Sequence, residues 1–420
     1  MGTCIEWYDF FLYGVAAALI FPRKYFPTSD PFTGTMLSFS TFFVGFIARP
    51  FGAALFGHFG DRAGRKASLI ATLLLMGAAT MAVGLVPGYD RIGIWGAVLV
   101  TLGRVLQGIG VGGEWGGSIL LAGEWASPNR RGFATSWAQV GAPAGMVLAN
   151  GALALTLWLT SEQSFQSWAW RIPFLFSFVL IFVGLYIRSG ILETPVFAQL
   201  KAEGRIEKAP VVEVLRRNWR QVILTALLRT SQQTPFYVFT TYVLSYATQT
   251  LGMARGRVLN LVMLAATISL VTVPLSGYLS DIFGRRRITA IGCALMIPWP
   301  FVYFALLDSG SGVLISLAIL LSLPVHDLQY GPQAAFISET FPANLRYSGS
   351  SLGYQLASLT AGGPAPIIAL TLYRKFGTSS AVAAYLSITG IISLISIGFL
   401  KKPYEEAASA TSASPYKDQV

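Results

Sequence analysis

Twelve long apolar runs, each closed by charge or by Gly and Pro, constrain this chain more than any other feature. They fall at 4–26, 35–57, 67–87, 93–121, 133–159, 168–188, 220–248, 257–279, 288–307, 312–336, 347–373 and 379–400. A helical crossing of a bilayer needs about 20 apolar residues, and every run reaches that length. The runs lack the alternation of a barrel strand and far exceed its length. Asp, Glu, Lys and Arg together make up only 12% of the 420 residues, about half the share of a soluble domain, which excludes a water-soluble globule. The chain is read as an all-α membrane protein with twelve transmembrane helices. Cys4 and Cys293, the only cysteines, lie in separate runs and are read as packing residues. No cleavable signal peptide is visible. Met1 stands only a few residues before the first run, which reads as an N-terminus lacking part of a cytoplasmic segment.

The formal charge of +11 has to be read by location. Nineteen basic residues fall in loops on the side shared by both termini, eight on the other side, and Arg49, Arg104 and Arg229 inside runs. Positive charge gathers on the cytoplasmic side, so both termini are expected there, in the cell inner (plasma) membrane. The basic surplus then calls for a lipid bilayer and for no nucleic acid; a monomer is expected. The expected organisation is a six-helix bundle over 1–188, a polar cytoplasmic linker with short amphipathic helices over 189–219, a second six-helix bundle over 220–400, and a flexible cytoplasmic tail over 401–420.

Two loops carry nearly the same text. Gly57-His58-Phe59-Gly60-Asp61-Arg62-Ala63-Gly64-Arg65-Lys66 returns as Gly277-Tyr278-Leu279-Ser280-Asp281-Ile282-Phe283-Gly284-Arg285-Arg286, 220 residues later. A second pair, Glu124 to Arg131 and Glu339 to Arg346, is offset by 215. Two pairs at nearly the same offset indicate duplication of a six-helix unit. The loop text resembles the signature of the major facilitator superfamily, and the resemblance covers residues 1 to about 400. It implies two bundles rocking about a central site. Asp61 and Asp281 can accept hydrogen bonds from a neighbouring helix N-terminus. The gating set is therefore Asp61, Arg62 and Arg65, Asp281 and Arg285, with Glu124 and Arg131 and Glu339 and Arg346 as further ion pairs.

Within that superfamily, Glu6-Trp7-Tyr8-Asp9-Phe10 with Tyr13-Gly14, then Arg49-Pro50-Phe51-Gly52, then Arg104 and Gln107-Gly108 running to Gly112-Gly113-Glu114, and Glu193-Thr194-Pro195-Val196-Phe197 resemble the metabolite:H⁺ symporter family. That family moves carboxylates and zwitterions such as shikimate, α-ketoglutarate, citrate, proline and betaine. Tyr242 to Tyr246, and Gln329 to Gln333 through Arg346 to Tyr354-Gln355, are most similar to the shikimate transporter group. The resemblance implies proton-coupled import of a small organic acid, shikimate-like or another carboxylate metabolite, by alternating access, with the proton as coupling ion and no cofactor. Two alternatives stay open: a proton-coupled drug or metabolite exporter, and uptake of a zwitterion such as proline or betaine.

A charge at bilayer depth is a functional candidate by default. Arg104 lies about eleven residues into its run, roughly 16 Å into a core of roughly 30 Å. Its opposite-sign candidates are Glu6, Asp9, Glu114 and Asp327. The sugar-porter pattern in the superfamily sets a first-helix acid against this arginine, which implies Asp9, with Glu6 as the competing acid. Ionised Asp9 would hold Arg104, and protonation would free the guanidinium for a substrate carboxylate. Arg49 is read as structural, with its side chain snorkelling toward the cytoplasmic end. Arg229, Gln233 and Tyr237 form one polar helix face with Gln232 beside it, and His326, Gln329, Tyr330 and Gln333 form another. With Arg104, Gln107, Gln139, Tyr354 and Gln355 they make the substrate-binding set. His326 is expected to line the cavity and not to carry the proton. Neither His-Glu-x-x-His nor Gly-x-Ser-x-Gly is present and only two histidines occur, so no catalytic residue, no metal and no enzyme are expected.

Overall fold

The computed structural model describes residues 2–400; the expected tail over 401–420 lies outside them. The described residues form helices joined by short turns, with no strand among them. In lipid a helix satisfies its backbone polar groups within one segment, and the apolar runs leave the chain no other choice. In the first half the helices are Gly2–Leu19, Pro31–Ala63, Arg65–Leu85, Trp95–Trp125, Arg131–Gln139 leading into Gly141–Leu159, and Arg171–Ser189. In the second half the seventh helix runs Trp219–Tyr237, passes a π turn at Val238–Tyr242 and ends as Val243–Gln249. The eighth is Arg255–Phe283, the ninth Arg285–Leu295 bent by 41° into Trp299–Leu307, and the tenth Gly312–Glu339. The eleventh runs Arg346–Ala357, a π turn Ser358–Gly362, then Ala365–Phe376, and the twelfth is Ser379–Phe399.

Twelve crossings are expected from the sequence. By length and apolarity alone, nine helices among the described residues qualify, or ten with the bent pair counted as one. The first and seventh helices fall short. Both carry polar side chains, Glu6 and Asp9 in one, Arg229, Gln232 and Gln233 in the other, and those side chains are buried against protein. Interruption of the apolar run therefore marks the helices that build the interior. Pro235 stands just before the π turn of the seventh helix, where its missing N–H breaks the ladder.

The second and fourth helices pack closely along Gly108 and Gly112. A Cβ at these positions would run into the backbone carbonyls of Gly45 and Arg49, so only glycine permits this approach. Between the halves, the second helix meets the eleventh, and the fifth meets the eighth and tenth. One apolar cluster crosses the divide, joining Trp7, Phe10 and Phe46 to Phe236 and Tyr237. Within it the rings of Phe46 and Tyr237 lie 5.5 Å apart. Phe51, Leu99, Phe182, Val271 and Ile395 stay exposed on outer faces, as lipid-facing side chains do.

Candidate functional site

The end bearing the repeated loops is shut by two matching clusters. Asp61 accepts hydrogen bonds from the backbone N–H groups of Tyr347 at 3.2 Å and Ser348 at 2.8 Å, in the first turn of the eleventh helix. Asp281 accepts from Gly132 and Phe133, both at 2.8 Å, in the first turn of the fifth. A carboxylate at a helix N-terminus meets unsatisfied N–H groups and the positive end of the dipole. Each aspartate thus ties its own half to the other. Arg65 lies 3.2 Å from Asp61 and 3.7 Å from Glu124, and donates to the Ala343 carbonyl at 3.1 Å. Arg285 repeats the pattern with Asp281 at 3.5 Å, with Glu339, and with the Pro128 carbonyl at 3.0 Å. Glu124 and Glu339 thus engage the loop arginines, and with Arg131 and Arg346 they border one small cavity between the halves. Arg62 departs from the expected gating set: it is exposed and has no ion pair among the described residues.

The expected pair of Asp9 and Arg104 does not form. Asp9 accepts a hydrogen bond from Ser177 at 2.6 Å, and its second carboxylate oxygen has no partner. Arg104 donates to Gln107 at 3.1 Å and to the Phe42 carbonyl at 3.4 Å. Its guanidinium carbon lies 4.3 Å from the ring of Phe10 and 4.5 Å from those of Tyr13 and Phe42. Three aromatic rings stabilise the cation, and its Nη2 has no hydrogen-bond partner. Gln107 in turn donates to Thr80 at 2.8 Å, and Thr80 neighbours Asp9. The acid and the arginine are joined only through this two-residue bridge.

Arg49 is misplaced by the sequence reading. It does not snorkel; it is 1% exposed, lies over the rings of Phe10 at 4.3 Å and Phe46 at 4.4 Å, and leaves Nε and Nη2 without partners. Phe10 therefore separates two guanidiniums. Arg49 borders a small cavity with Glu6, Trp7, Glu114 and Trp115 from the first half and Tyr354 and Gln355 from the second. Glu6, expected to compete for Arg104, is instead 3.4 Å from Arg188, which lies 2.7 Å from Glu114. Arg188 counts among the loop charges in the sequence; its side chain reaches back into the bundle, donating also to the Leu69 carbonyl. Nothing in the linear text reveals that reach.

In the second half, Arg229 donates to the Tyr354 carbonyl at 2.7 Å and to Ser358 at 2.9 Å, over the Tyr354 ring. That ring stacks on Trp115 at 3.5 Å, and both rings line the cavity that Arg49 borders. Gln355 donates to the Val111 carbonyl at 3.2 Å and keeps a free oxygen. Tyr237, Tyr354 and Gln333 are buried with hydroxyl or amide atoms unpartnered; Gln233 and Tyr330 are buried beside them. Other members of the expected set are engaged in packing. Gln329 exchanges hydrogen bonds with Ser231 at 2.8 and 2.9 Å and takes the Cys293 thiol. Gln139 takes the Trp115 indole N–H at 2.7 Å and donates to the Tyr330 carbonyl. His326 sits between Asp327 and Gln232, both at 3.1 Å.

This arrangement, two halves capped onto each other at one end and a buried polar interior rich in arginine, has counterparts among known proteins. Residues 1–366 match the family model described as Major Facilitator Superfamily. The inner membrane metabolite transport protein YhjE of Escherichia coli K12 is 42% identical over 94% of this chain and 91% of its own length. The shikimate transporter of the same organism is 39% identical over 95% and 92%. Among solved structures, the proton:xylose symporter XylE bound to 6-bromo-6-deoxy-D-glucose superposes with a TM-score of 0.78 at 18% identity, over 97% of this chain and 96% of that one. The chain belongs to the major facilitator superfamily and is a secondary transporter of metabolites, not an enzyme.

Proposed function

We propose that this transporter imports a small organic acid together with a proton, the substrate being a shikimate-like or related carboxylate, across a cell inner membrane with both termini cytoplasmic. One observation carries the reading. Arg49, Arg104 and Arg229 are each 1% exposed or less, and none has an acid within ion-pair distance among the described residues. A buried unpaired cation is costly, and three around one interface favour an anionic guest. Arg49 and Arg229 would share its carboxylate, while the unpartnered hydroxyls of Tyr237 and Tyr354 and the amides of Gln333 and Gln355 would meet its hydroxyl groups. The close relative named a shikimate transporter supports the same class.

Proton coupling is supported by charge balance. Away from the gated end, four buried acids, Glu6, Asp9, Glu114 and Asp327, are matched in number by four buried guanidiniums, Arg49, Arg104, Arg188 and Arg229. A carboxylate entering alone would leave one negative charge in a low dielectric; a carboxylate with a proton restores neutrality. A zwitterion needs no such companion. The test is a thermal-shift screen of purified protein against shikimate, α-ketoglutarate and glycine betaine, since only a binder of the folded state stabilises it. Stabilisation by the acids and not by betaine is expected; the reverse order overturns the carboxylate reading.

A further inference from the structure

The transport reading leaves open where the proton sits, and the first-helix acids, Asp9 and Glu6, lie in different surroundings. We infer that the coupling proton is held by Glu6, within a cluster in which Glu6 and Glu114 share Arg188 and face Arg49 across one cavity. The inference rests on the proposed carboxylate import.

The two acids of the cluster are not equivalent. Glu114 accepts from Arg188 at 2.7 Å, from Ser118 at 2.5 Å and from Thr72 at 3.2 Å. Three donors fix it as the carboxylate partner of Arg188. Glu6 has that same guanidinium only at 3.4 Å, and it borders the cavity. Of two carboxylates sharing one cation, the less satisfied takes a proton at lower cost. Asp9, one turn further on, faces Ser177 and lies outside that cavity's lining.

The cavity also points to a guest. Arg49 borders it at 1% exposure, with Nε and Nη2 unpartnered. The groups facing Glu6 are Arg49 from the second helix, Glu114 from the fourth, Arg188 from the sixth, and Tyr347 and Tyr354 from the eleventh. The third helix contributes only Thr72 and the Leu69 carbonyl. With both acids ionised these groups sum to zero charge. A substrate carboxylate on Arg49 would then repel ionised Glu6 across the same small cavity, and protonated Glu6 removes that repulsion. Proton and carboxylate thus enter as one neutral load, and loss of either disfavours the other. The proton transfer itself is the addition of H⁺ to a Glu6 carboxylate oxygen from water and its return to water on the other side.

The experiment uses the full chain in proteoliposomes containing a pH dye, with shikimate and α-ketoglutarate as probes. Wild type should exchange and accumulate at least one of the acids with proton uptake. Glu6→Gln should keep acid-for-acid exchange, while accumulation and proton movement fall to the level of protonophore-treated vesicles. Should Glu6→Gln fail to fold, Glu6→Asp, whose shorter arm retreats from Arg188, should transport with a shifted pH profile. Full proton-coupled accumulation by Glu6→Gln, or a wild-type pH profile in Glu6→Asp, overturns the assignment and leaves carboxylate import standing. Wild type that moves neither acid while moving glycine betaine overturns both.

Discussion

Arg49 and Arg104 share the ring of Phe10, yet only Arg104 was legible as a functional residue. Its depth in the run could be counted along the chain. The reach of Arg49 into the interior depends, beyond its own helix neighbour Phe46, on Trp7 and the eleventh helix, which are far from it in sequence. Arg188 escaped for the same reason, and in place of the expected contact with Asp9, Arg104 meets aromatic rings that spacing alone does not reveal. Arg49→Lys tests the proposed grip on substrate. An ammonium cannot reproduce a two-pronged contact, so binding should weaken by about 1.5–3 kcal/mol, roughly 10- to 150-fold, although charge is kept. Isothermal titration with shikimate measures it; unchanged affinity would remove Arg49 from the site.

At the scale of helices, the runs, the duplication and the gating aspartates were all readable, because periodicity and repeated text are local. That the first and seventh helices fall short of an apolar span was not readable, since both were counted among the twelve runs. What the linear pattern could not give was which helix N-terminus each aspartate meets: Asp61 the eleventh, Asp281 the fifth. An asparagine keeps an acceptor oxygen but loses the charge that meets the helix dipole and the loop arginine, worth about 0.3–1 kcal/mol. Asp61→Asn and Asp281→Asn should therefore slow turnover and loosen the closed end, with equilibrium binding nearly unchanged because neither touches the cavity; a large loss of binding in either would contradict a purely gating role. Gly112→Ala bears on a different contact. Its methyl would meet the Arg49 carbonyl, so overpacking of about 1–3 kcal/mol should lower both the melting temperature and the affinity, and a neutral result would show that the second and fourth helices can separate freely.

For the whole molecule, the proposed coupling turns on the interior away from the gated end, where four buried acids stand against four buried guanidiniums and a neutral load is favoured. A monocarboxylate with one proton crosses without net charge, whereas a zwitterion with a proton would carry one. Uptake should therefore follow the pH gradient and ignore the membrane potential. This follows from the assembled interior and from no single motif, since the sequence alone left import, export and zwitterion uptake side by side. The direct measurement is shikimate uptake into proteoliposomes with the pH gradient and the valinomycin-clamped potential varied independently. Accumulation driven by an acid exterior, with proton uptake and no response to potential, is the expected result. Uptake driven by potential alone, or shikimate entry without proton movement, would contradict proton-coupled carboxylate import.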